Sequence, residues 1–165
     1  MSNDVVKTQA GLGADSSLNA VLDTRADVLE MTQATHDAAL RPDEPGGIPH
    51  VVRAALATRI ARLHKDTGLI AHYEGLMQQA RASAAISRLA DPAFKGDGDA
   101  QLTAVLAFTD TVTQAPKDAT ADDVTRLQQA GVSDADIVRL AELNAFLAYQ
   151  IRLVAGLRLM KEFAK

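Results

Sequence analysis

The chain contains no cysteine and no tryptophan, and only 4% of its residues are aromatic. Without a thiol there is no disulfide, no thiolate nucleophile and no cysteine-ligated metal. With so few aromatics, the core has to be assembled from Ala, Leu, Val and Ile, and the commonest of these, Ala and Leu, favour helix. A block of basic residues is also missing. The formal net charge is -4, which removes the main electrostatic footprint of a nucleic-acid binder. No apolar run approaches the roughly 20 residues of a membrane-spanning helix. The opening residues, MSNDVVKTQAGLGADSS, lack the basic-then-apolar pattern of a secretory signal. A cytoplasmic location without membrane contact is therefore the expectation.

What is present suits one packed domain. The 165 residues are 47% hydrophobic, enough to bury a substantial core. Residues 1–16 are polar and glycine-bearing and read as a flexible tail, with a single domain over residues 17–165. Candidate helix starts of the form [ST]-x-x-[DE] occur at Thr24–Asp27, Thr120–Asp123 and Ser133–Asp136, where a hydroxyl can accept from a free N-terminal amide. Helical stretches are expected at about 24–40, 50–64, 67–81, 100–114, a short one ending at Gly131, and 134–161. Proline and glycine in "RPDEPGGIP" and "DPAFKGDGD" mark loops between them. No stretch alternates apolar and polar residues long enough for a sheet. The fold class is all-α, a bundle of about six or seven helices. The last helix is apolar on most faces, which predicts a central or subunit-covered position.

The stretch "LHKDTGLIAHYEGL", Leu63 to Leu76, reads as a helix end, a short break and a new helix. Within "VRAALATRIARLHKDTGLIAHYEGLM" it resembles the active-site helix pair of the alkylhydroperoxidase D-like and carboxymuconolactone decarboxylase superfamily. "QQAGVSDADIV" followed by "NAFLAYQIRLVAGL" is similar to the C-terminal half of the same superfamily, its peroxidase-related branch in particular. The resemblance covers most of residues 51–157 and implies the fold named above. In thiol-dependent members a Cys-x-x-Cys-x-x-x-His motif opens the second helix of the pair, and a glutamate precedes it. One register sets that motif on Asp66, Leu69 and Tyr73 with Ala54 at the glutamate position. The other sets it on Lys65, Gly68 and His72 with Arg53 there. Neither supplies a thiol or the glutamate, so thiol-peroxidase chemistry is excluded.

The decarboxylase branch does not depend on a cysteine pair, and the resemblance implies proton transfer on a small carboxylated or carbonyl compound. Such work needs a positioned acid or base and a cationic grip on a carboxylate. His72 and Tyr73 are the catalytic candidates, with Glu74 in support. Arg53, Arg152 and Asp66 are the candidate substrate-binding residues. Each has a structural reading beside it: His72 as a hydrogen-bonded interface histidine, Tyr73 as a half-buried anchor, Asp66 as a helix cap, Arg152 as half of an ion pair. Arg53, Arg59 and Arg62 read together as a solvated or subunit-facing face. Leu69, His72 and Leu76 share a stripe, which predicts that His72 faces the last helix. His36, His50 and His64 show no tight ligand spacing, and no metal or cofactor is expected. A small-molecule ligand and a homo-oligomer (dimer, trimer or hexamer) are the expected partners. The alternative function is a non-catalytic subunit that keeps the fold for assembly or ligand binding, beside a cysteine-bearing relative.

Overall fold

The computed structural model describes residues 4–163, and among these the chain forms nine α-helices and no strand. They are α1 (Val5–Gln9), α2 (Leu18–Asp23), α3 (Ala26–Leu40), α4 (His50–Leu63), α5 (Thr67–Gln79), α6 (Ala84–Leu89), α7 (Ala100–Gln114), α8 (Ala121–Gln129) and α9 (Asp134–Phe163). The all-α reading holds, and the six helices of more than six residues fall where the periodicity puts them. The local chemistry explains the boundaries. Asp99 accepts from the Leu102 amide at 2.9 Å and starts α7. Thr120 and Asp123 close a reciprocal capping box on α8, and Ser133 Oγ accepts from the Asp136 amide at the start of α9. Thr24 does not cap α3; its hydroxyl donates instead to the Val21 carbonyl at the end of α2. Gly131, at φ 85°, sits where α8 must reverse direction, and the Val132 amide then reaches back to the Leu127 carbonyl.

The central element is α4, not the last helix. Every residue from Arg53 to Ala61 is buried. Its small side chains Ala54, Ala55, Ala57 and Ala61 let α5, α6, α7 and α9 approach closely. Two of its arginines are buried as well, which corrects the expectation of a solvated Arg53–Arg59–Arg62 face. Arg59 is fully enclosed and pairs through two nitrogens with Asp110, at 2.6 and 2.7 Å. Its guanidinium also donates to the carbonyls of Leu89, Asp91 and Pro92. One side chain thus ties α4 to α7 and to the loop after α6.

At 30 residues, α9 is about 45 Å long. Its first half packs into the main core with Leu140, Leu143 and Leu147. Its second half supports a smaller cluster, in which Val154 and Leu157 meet Val6, Ala10 and Leu29. The first two of those partners come from the segment read as a flexible tail. Residues 5–9 are instead helical, with Val5 and Val6 buried. Arg158 donates to the Gln9 carbonyl at 2.9 Å and Lys161 to that of Gly11 at 2.6 Å. Two adjacent valines on a short polar helix carry too little pattern to reveal this from sequence.

Candidate functional site

The break between α4 and α5 turns on Lys65, which adopts φ 58°. The Asp66 amide reaches back to the Ala61 carbonyl at 3.1 Å, and Asp66 then caps α5 by accepting from the Leu69 amide at 3.1 Å. The expected cap is therefore in place. It has a partner that sequence did not offer: Arg158 holds both carboxylate oxygens, at 2.7 and 3.1 Å. Burial pushes the Asp66 carboxyl up, but the Arg158 guanidinium and the Leu69 amide outweigh this and hold it below the usual range. A carboxylate so engaged is a structural joint between α5 and α9.

Beyond the cap, α5 presents two different faces. Leu69, Tyr73, Leu76 and Met77 are buried. Tyr73 is fully enclosed, and its hydroxyl donates to the Gln150 side-chain oxygen on α9 in a short contact. Burial raises its pKa well above the ordinary phenol value, so Tyr73 stays protonated inside the core. The Gln150 amide nitrogen has no partner among the described residues. The residue on α5 that faces the last helix is therefore Tyr73.

His72 turns the other way, toward α3, which corrects the expected orientation. One step along a helix is a rotation of about 100°, and that step separates the two side chains. The Nε2 of His72 lies 3.1 Å from the Nε2 of His36. His36 is 1% exposed and sits among Tyr73, Phe146 and the His72 ring, with centroids 6.4, 6.1 and 5.3 Å away. Its Nδ1 is 3.0 Å from the Asp37 carboxylate. The same Asp37 oxygen accepts from the Gln33 amide nitrogen at 3.1 Å, and the Gln33 oxygen accepts from the Val5 amide at 2.9 Å.

This chain of contacts fixes the protons. A carboxylate oxygen can only accept, so His36 Nδ1 carries a hydrogen. In the neutral ring its Nε2 is then a lone pair, and His72 Nε2–H must be the donor between the rings. The remaining nitrogen of His72, Nδ1, is left unprotonated. Burial is the main cause that lowers both pKa values; for His72, the neighbouring His36 and Arg41 push the same way, to about 4. Both rings are thus neutral near pH 7. They open into a polar cavity of about 410 Å³ whose lining includes Gln33, Asp37, Arg41, Leu76 and Gln79.

The candidate arginines stand elsewhere. Arg53 is buried and donates to the carbonyls of Ile48, Ala39 and Pro45, at 2.8, 3.0 and 3.2 Å. It organises the loop that follows α3. Arg152 is exposed on α9 and donates to the Ala148 carbonyl of its own helix. Glu74 pairs with Arg62 at 2.6 Å on the outer face of α4 and α5. Of the five sequence candidates, only His72 reaches the cavity. The sequence reading does not single out His36, Asp37 and Arg41 as site residues, although the adjacent His36–Asp37 pair and an arginine four residues after Asp37 are legible there. Among the described residues, no group of three or more His, Asp or Glu side chains is arranged to hold a metal.

On the opposite side of α3, a second and larger cavity of about 810 Å³ runs between α3 and α9. Val28, Met31, Ala38, Ala145, Phe146 and Tyr149 make it largely apolar. Met31 and Tyr149 are 59% and 42% exposed along it.

Fold and site together describe an all-α protein with a histidine pair, one ring buried and one partly buried, lining a polar cavity. Comparison with known protein families, with curated proteins and with solved structures finds no match to this chain.

Proposed function

We propose that this chain is a thiol-free member of the alkylhydroperoxidase D-like and carboxymuconolactone decarboxylase superfamily that runs acid–base chemistry on a small carboxylated or carbonyl compound. The observation that carries this reading is the 3.1 Å contact between His36 and His72, anchored by Asp37 in the cavity lining. His72 Nδ1 is the base. When it takes a proton from a bound molecule, the electron pair of the broken bond stays on that molecule. His72 can pass its Nε2 proton to His36, and the positive charge comes to rest beside Asp37. His36 and Asp37 act as positioning residues: they line the same cavity, and their part is to orient His72 and to receive the charge that it passes on.

Nitrogen-15 NMR of the histidine rings tests this reading. The expected spectrum shows a neutral His72 at pH 7 with its proton on Nε2, titrating near pH 4. His36→Gln should move the His72 titration, because it removes the ring that His72 faces. A His72 that holds its proton on Nδ1, or that titrates at the ordinary value of 6.5 in the folded protein, would sink the proposal.

The apolar cavity between α3 and α9 supports a second reading, the non-catalytic subunit. Large side chains such as Met31 and Tyr149, half exposed along one continuous cleft, are typical of a surface that another chain covers. Under this reading the protein is a homo-oligomer, and Met31→Glu should shift it toward monomer. Sedimentation of the unmodified protein as a monomer at micromolar concentration would remove the support.

A further inference from the structure

We infer that Arg41 is the carboxylate anchor of the histidine cavity, and that the cavity takes a small monocarboxylate. This inference rests on the acid–base reading of His72 and names the ligand class that such a site would hold. Three observations lead to it. First, the two arginines that sequence offered for this role are both committed elsewhere: Arg53 to loop carbonyls and Arg152 to its own helix. Second, Arg41 lines the same cavity as His36 and His72. Its side chain is exposed, and among the described residues it forms no ion pair. It follows the last turn of α3, where its amide bonds the Asp37 carbonyl at 2.7 Å. The backbone is therefore fixed while the guanidinium keeps its donors for a ligand. Third, Arg41 also lines a smaller adjoining recess, of about 170 Å³, with His50 and Ala54. His50 Nε2 is 2.8 Å from the Pro42 carbonyl and holds the chain that carries Arg41 onward.

The charge balance selects one carboxylate rather than two. Arg41 is the single cation of the lining, and the histidines are neutral. Asp37 is the single anion, and it already accepts from His36 and Gln33. The lining is neutral before a ligand enters; a monocarboxylate on Arg41 adds one net negative charge, whereas a dianion adds two in a cavity that already holds the Asp37 carboxylate. Leu76 and Val5 supply an apolar wall, which suits a short hydrocarbon or aromatic body. The planar guanidinium fork matches a carboxylate through two parallel hydrogen bonds. Arg41 and His72 line one cavity, so a ligand held on the guanidinium shares that space with the His72 ring.

The experiment is a titration of the full chain with sodium benzoate and, separately, sodium succinate at pH 7. It is followed by calorimetry and by the ring resonances of His72. Benzoate is expected to bind and to move the His72 signals, and succinate to bind more weakly. Arg41→Gln is expected to weaken benzoate roughly tenfold or more, the value of a lost charge-assisted pair. Arg41→Lys should recover part of the loss. Because Arg41 is exposed, both variants should fold like the parent, which circular dichroism checks. Two results overturn the inference. One is the absence of benzoate binding to the unmodified protein; the other is equal binding by the parent and Arg41→Gln. The titration of His72 in the absence of benzoate separates the two levels. A shifted His72 with no carboxylate binding refutes the anchor alone, while an unshifted His72 refutes the acid–base reading beneath it.

Discussion

Replacing Arg59 with methionine should destabilise the fold by about 3–5 kcal/mol, the range seen when one partner of a buried ion pair is removed. Methionine fills a similar volume but offers no donor. Asp110 would lose its two-nitrogen partner and keep only Lys95, at 2.8 Å on the exposed side. The carbonyls of Leu89, Asp91 and Pro92 would lose a guanidinium at the same time. A buried acceptor without a donor costs about 1–3 kcal/mol, which applies to the enclosed Leu89 carbonyl, whereas the Asp91 carbonyl keeps the Phe94 amide. Arg59→Lys keeps the charge but not the fork, and should fall between the two. Urea denaturation followed by circular dichroism reads the effect. A loss below about 1 kcal/mol would mean that water replaces the guanidinium and that the site is not closed.

Acidification should produce the second large effect. A histidine whose folded pKa is lowered contributes stability that is complete above its unfolded value and is lost as pH falls toward the folded value. For His72 that window runs from 6.5 down to about 4. Each pKa unit is worth roughly 1.4 kcal/mol. With a discount for the part of the ring that solvent screens, the loss is about 2 kcal/mol. His36 and His64 are lowered too, mainly by burial, and act in the same direction. The carboxylates behave differently. Asp66 and Asp110 are held below the ordinary 3.8, so their contribution is present above that value and disappears only in stronger acid. His72→Gln can still donate to His36 Nε2 but cannot take up a proton. Its unfolding free energy should therefore fall less between pH 7 and pH 4.5 than that of the parent. Parallel pH profiles for the two proteins would contradict the assigned titration.

These two effects involve residues that the sequence displayed but did not explain. The helices of more than six residues were legible because each carries its own signal: a capping hydroxyl, an apolar period, a proline or glycine at the break. Asp66 belongs to this group, since the amide it caps is three residues away. Arg59 does not. Its polarity argues for a surface position, and the partner that makes burial tolerable is Asp110, on another helix. His72 has the same problem on a finer scale. The apolar stripe places it between two neighbouring faces of α5, and only the arrival of His36, from 36 residues earlier, decides which face it uses. Tyr73 was read as a half-buried anchor and lies fully enclosed, because the core that receives its hydroxyl is built from the far end of the chain at Gln150. Local signals place elements, whereas pairing between distant side chains places sites.

The short first helix and the second half of α9 share one small apolar cluster and are joined by the bonds from Arg158 and Lys161 to the Gln9 and Gly11 carbonyls. Regions that depend on each other in this way open and close as a single cooperative unit. Helix α1 and the second half of α9 therefore form one such unit, although most of the sequence lies between them. The Val5 amide bonded to Gln33 links that unit to the histidine pair. Loosening of either helix is then felt at both, and local unfolding of this unit would alter the solvent around His36 before the central helices respond.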